Sequence, residues 1–122
     1  MLTLAVFLCL GWAARGGVGR VGAIAHRGMG NASAVAIVGE GLFCAASDEE
    51  NRLRIYPIDT EGTEVASLDV TGFLQMRGRS VEADLEGAAR IGDRVYWIGS
   101  HSRSKDGKWR PNRQRLFATR IV

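Results

Sequence analysis

The chain is 122 residues long, with 46% apolar and 24% charged residues and a formal net charge of +3. That size and mix fit one folded domain and exclude a disordered or low-complexity chain. The basic residues crowd toward the C-terminal third while most acids fall between Glu40 and Asp93, and so small an excess gives no reason to expect a nucleic-acid partner.

Residues 1–25 read as a signal peptide. "MLTLAVFLCLGWAA" is an apolar run of signal-core length, too short for a stable membrane span, and "AIA" at Ala23–Ala25 suits a small-residue cleavage site. The first basic residue is only Arg15, so the alternative is a mis-assigned start ahead of an ordinary strand. The signal reading places the mature chain in the periplasm or outside the cell. Cys9 would leave with the signal, and Cys44 alone makes no internal disulfide and reads as a small buried side chain.

Residues 26–33 read as a linker. The preceding "GGVGRVGAIAHRGMG" contains a formal G-x-G-x-x-G at Gly17, Gly19 and Gly22, but a dinucleotide site needs a helix next, and Gly28 and Gly30 interrupt it. Beyond that point strand-length runs follow in order: "AVAIV" (34–38), "LFCAAS" (42–47), "RLRIYPI" (52–58), "EVASLDV" (64–70), "LEGAARI" (85–91), "RVYWIGS" (94–100) and "RQRLFATRIV" (113–122). Turns "GEG", "DTEGT", "GD" and "KDG" sit between them, so neighbouring strands should be antiparallel. Pro57 predicts an outer or edge position for the third run, since it cannot donate to a ladder.

A repeat underlies these runs. "AVAIVGEGLFCAAS" (34–47) lies over "GAARIGDRVYWIGS" (87–100) at an offset of 53, which puts His101 opposite Asp48. A multi-stranded antiparallel unit of this length is blade-like, near the ~40–50 residues of propeller repeats. The expected fold is therefore all-β, about one and a half antiparallel propeller-like blades over residues 34–122. A propeller needs at least about four blades to close, so the chain reads as the N-terminal fragment of a longer β-propeller.

"SDEENRLRIYPID" and "EADLEGAARIGDRVYWIGSHSRSKDGKWRPNRQRLFATRI" resemble the start of the bacterial domain of unknown function 3616, across residues 33–122. The resemblance implies no activity. More distantly, "DLEG" before a Gly-Asp hairpin is similar to blade starts in esterase-like phytase propellers.

Alternation in an extended strand puts Glu82, Asp84, Glu86 and Arg90 on one face, and Ala83, Leu85, Ala89 and Ile91 on the other. On a propeller's inner strand such acids can bind a cation, with Asp84, Glu86 and Asp48 of "SDEEN" as candidate ligands and calcium as the candidate ion. The plainer reading is a solvated face balanced by Arg90 and the basic loop, with "SDEEN" a polar turn. Glu86 and His101 are the candidate catalytic groups, though a lone histidine is more often structural. The loop "SRSKDGKWRPNR" offers Arg103, Lys105, Arg110 and Arg113 to an anion, or is a solvated hairpin. No catalytic triad, P-loop or H-E-x-x-H signature is present in the sequence. Two functions follow: a module binding an anionic small molecule or cell-envelope ligand, or a cation-dependent phosphoester hydrolase.

Overall fold

The two tightest hairpins turn on glycines that hold positive φ, Gly41 at 69° and Gly92 at 61°, where an L side chain would be strained. In the computed structural model, which describes residues 22–122, they join β1 (Ala32–Gly39) to β2 (Leu42–Ser47) and β5 (Leu85–Ile91) to β6 (Arg94–Gly99). β3 (Arg52–Pro57) and β4 (Ala66–Asp69) extend the first hairpin, and β7 (Leu116–Arg120) extends the second after one turn of 3-10 helix at Pro111–Arg113. All neighbours pair antiparallel, in a four-stranded sheet ordered β1-β2-β3-β4 and a three-stranded sheet ordered β5-β6-β7. The chain is thus all-β, two propeller-like meanders as its repeat predicts. The signal segment lies outside the described residues apart from 22–25, as do Cys9, Gly17 and Gly19. Among the described residues no helix is long and apolar enough to cross a membrane.

Pro57 does not mark an edge strand. β3 lies between β2 and β4, and β4 pairs only with Arg52–Ile55, so the ladder on that side ends before the proline. The missing N–H therefore costs no sheet hydrogen bond there.

The sheets stack face to face on a core of small residues and one large one. Ala34, Ala36, Cys44, Ala46 and Leu53 come from the first sheet, Leu85, Val95 and Trp97 from the second, and Val70, Leu74 and Ala83 from the crossover between them. Trp97 is fully buried in the volume that the alanines leave, and its indole N–H donates to Thr119 Oγ1 at 3.0 Å, which satisfies the ring's one polar group. The opposite face of the first sheet is covered by the stretch read as a linker. His26 packs edge-on against Phe43, Phe43 stacks on Tyr56, and the Tyr56 hydroxyl donates to the Arg27 carbonyl at 3.1 Å.

One-residue bulges change the parity read from the sequence. Leu85 pairs with Gly99 but Gly87 with Ile98, which leaves Glu86 as the extra residue; Ser33 occupies the same place in β1, between the pairs Ala32 with Ser47 and Ala34 with Ala46. A slip of one residue exchanges faces. Past the bulge Ala88 faces the core, whereas Ala89 and Ile91, expected beside Leu85, are exposed. A second irregularity in β1, between Ile37 and Gly39, also corrects the repeat. The inner strands match at 53, but Gly39 with Leu42 closes the first hairpin and Ile91 with Arg94 the second, an offset of 52. Asp48 therefore corresponds to Ser100, and not to His101.

Gly99 is the crowded glycine. A Cβ there would lie 2.5 Å from the Arg113 carbonyl oxygen and 2.6 Å from that of Ala83, both backbone atoms, whereas one on Gly87 would meet only Ile98 Cγ2 at 3.0 Å. The Ile98 side chain is half-exposed and can move. Gly99→Ala should lower the unfolding free energy by about 1–3 kcal/mol through overpacking, and Gly87→Ala by clearly less. Denaturant midpoints of the two variants measure the order; the reverse order would refute the packing described.

Candidate functional site

The polar groups gather where the crossover enters β5 and where β6 leaves the sheet. Asp84 and His101 both take left-handed backbone, at φ 53° and 54°, a region in which Asp and His are over-represented among residues other than glycine. The turn this produces lets the Asp84 carbonyl accept from Ser100 N–H at 2.8 Å, while His101 N–H donates to the Arg113 carbonyl at 3.1 Å. Three chain segments are thereby tied side by side.

Asp84 Oδ2 is the focus of the side-chain network. It accepts from Ser100 Oγ at 2.5 Å and from Ser102 Oγ at 3.4 Å, and lies 3.1 Å from Arg113 Nη1. Arg113 also donates to Ser102 Oγ and to Glu82, the latter at 2.9 Å. The guanidinium thus bridges Glu82 and Asp84, with little of either its own or the Asp84 side chain exposed.

On the other side of Asp84 the acids meet. Asp48 follows β2 and Glu86 forms the β5 bulge, and one carboxylate oxygen from each of Asp48, Asp84 and Glu86 lies within 4.8 Å of the others. Asp48 Oδ1 is buried and accepts no hydrogen bond among the described residues, while Glu86 is exposed. The three acids of "EADLE" therefore divide: Glu82 turns to Arg113, Glu86 turns to Asp48, and Asp84 serves both. Arg90, expected on their face, instead donates Nη1 to the Ile37 carbonyl across the two inner strands at 3.2 Å.

Among the described residues the side chains of the remaining candidates form no hydrogen bond or ion pair with this cluster. His101 is exposed, with Nδ1 held 3.0 Å from the Gly99 carbonyl. Arg103 folds over the Trp109 ring, 5.5 Å from its centroid, and donates to the Gly107 carbonyl, and Lys105 is exposed beside the Gly107 turn. Arg110 joins Arg77 and Arg79 of the crossover, two residues that sequence reasoning passed over because they lie in a stretch with no strand period. Among the described residues Cys44 is a free, buried thiol, and burial pushes its pKa up to about 11, which keeps it protonated near neutral pH.

Two stacked antiparallel meanders with a polar network at one end define a β-propeller-like module. A family model described as "Protein of unknown function (DUF3616)" matches residues 31–120, and the chain belongs to that family. No curated protein and no solved structure matches it, so the likeness to esterase-like phytases has no second support.

Removing Arg113 leaves Glu82 and Asp84 partly buried and without their cation. Arg113→Ala should therefore cost about 1–3 kcal/mol of stability. Arg27→Ala breaks a pair with Glu61 whose side chains are 72% and 58% exposed, and should cost no more than about 0.5 kcal/mol. Chemical denaturation compares the two; equal losses would show that the Arg113 network contributes nothing special.

Proposed function

We propose that the chain is a ligand-recognition module of an exported propeller-like protein, and that its site is organised by a divalent cation held between Asp48, Asp84 and Glu86. The observation that carries this reading is the convergence of three carboxylates from both sheets to within 4.8 Å. Two like charges at that distance repel by roughly 1 kcal/mol even at the dielectric constant of water, and by more where solvent is thinned out. The nearby cation does not cancel this, because Arg113 is shared between Glu82 and Asp84 Oδ2. Asp48 Oδ1, buried and without a donor among the described residues, is suited to a metal ligand. Calcium matches the chemistry: it prefers oxygen ligands, takes 6–8 of them in flexible geometry, and would complete its shell here with water or an oxygen of the ligand. An anionic small molecule or a cell-envelope component is the class of ligand that such an ion would help to hold. Export rests on the apolar signal-like segment at the N-terminus.

A phosphoester hydrolase using the same ion is the second reading, favoured by the Arg113 guanidinium beside Asp84. Calcium titration followed by thermal melting tests the site, and a phosphomonoesterase assay with and without calcium separates the two readings. Calcium should raise the melting temperature of the unaltered chain and leave that of Glu86→Gln and Asp48→Asn where it was. A melt insensitive to millimolar calcium would refute the cation site.

A further inference from the structure

The crossover from β4 to β5 and the loop from β6 to β7 face each other across a cleft of about 210 Å3. Arg77, Arg79 and Ser80 line one wall, and Trp109 and Arg110 the other. The walls are fixed to each other by Asn112, which is 5% exposed. Its Oδ1 accepts from Arg77 N–H at 3.4 Å, and its Nδ2 donates to the carbonyls of Arg77 at 2.8 Å and Ser80 at 2.5 Å.

The charge in this cleft is unbalanced. Among the described residues Arg77, Arg79 and Arg110 form no ion pair. Glu82 also borders the cleft, but its carboxylate is bound to Arg113. Glu49 borders an adjoining depression with Arg79 and Arg110, and its carboxylate accepts from Asn31 at 2.6 Å. Arg110 Nε is buried with no acceptor among the described residues. Three arginines line one cleft, and the planar fork of a guanidinium supplies the donors that a tetrahedral oxyanion accepts from two at a time. A water molecule occupies about 30 Å3 in the liquid, so the cleft has room for more than a lone oxyanion.

We propose that this cleft binds a phosphate group, free or as the end of a larger molecule whose body extends over Trp109. The site stands on residues outside the acid cluster, so failure of either one leaves the other in place.

The test is titration of the full chain with inorganic phosphate and with phenyl phosphate, in low salt with a chelator present. It is followed by NMR shifts of the Ser80 amide and the Trp109 indole N–H. Both probes should saturate these shifts. Arg79→Ala and Arg110→Ala should each weaken binding by about tenfold or more, the worth of one charge-assisted hydrogen bond. Lys105→Ala, outside the cleft, should bind as the unaltered chain does. Arg79 is exposed, so its replacement should leave the fold intact, which a matching melt confirms. The proposal is overturned if neither probe saturates at millimolar concentration, if the two arginine variants bind normally, or if Lys105→Ala loses as much as they do.

Discussion

The close approach of three backbones at Gly99 is the constraint on which the polar end of the molecule depends. Carbonyl oxygens of Ala83 and Arg113 flank the position so tightly that no side chain fits between them. Successive amides then bind alternately to either side: Gly99 N–H to the Arg115 carbonyl, Ser100 N–H to that of Asp84, and His101 N–H to that of Arg113. Asp84 and Arg113 come within 3.1 Å as a consequence. A charged pair whose backbone is already held in this way leaves less backbone entropy to be lost on forming than one between free loops.

The crossover that supplies Ala83 and Asp84 has no regular structure between Gln75 and Asp84, so side chains must satisfy its backbone. Two asparagines do this from opposite ends. Asn51 accepts from Ala83 N–H at 2.8 Å and donates to the Val81 carbonyl, while Asn112 binds the backbone of Arg77 and Ser80. An amide offers both donor and acceptor, and can stand in for a neighbouring strand. The crossover therefore holds its arginines and acids in fixed places although it is neither helix nor strand.

Much of this fold was legible because hairpin chemistry is local. "GEG" and "GD" announce their turns, and the two hairpins form where those turns place them. Bulges are another matter: Gly87 inside "DLEGA" is a bulge signal that the strand reading passed over, "NASAV" carries none, and each extra residue exchanges the faces that follow. Asp48, Asp84 and Glu86 were grouped from the repeat and from strand parity, and the structure brings their carboxylates together even though the bulge altered that parity. Arg77 and Arg79 stayed hidden for a different reason: pairing of a crossover with a distant loop through Asn112 leaves no periodic trace. The basic pair around Gly78 was the available signal, and only three-dimensional proximity to Arg110 gives it meaning.

If the crossover, the end of β6 and the loop to β7 are one locked unit, the amides of Ala83, Ser100 and His101 share its stability. They donate to Asn51 Oδ1, the Asp84 carbonyl and the Arg113 carbonyl respectively. Native-state hydrogen exchange measures this directly. All three amides should be protected and should exchange together, with the same dependence on denaturant. Exchange of any one of them at the rate of an open loop, while the amides of β6 remain protected, would contradict the locked unit and with it the fixed geometry of the site.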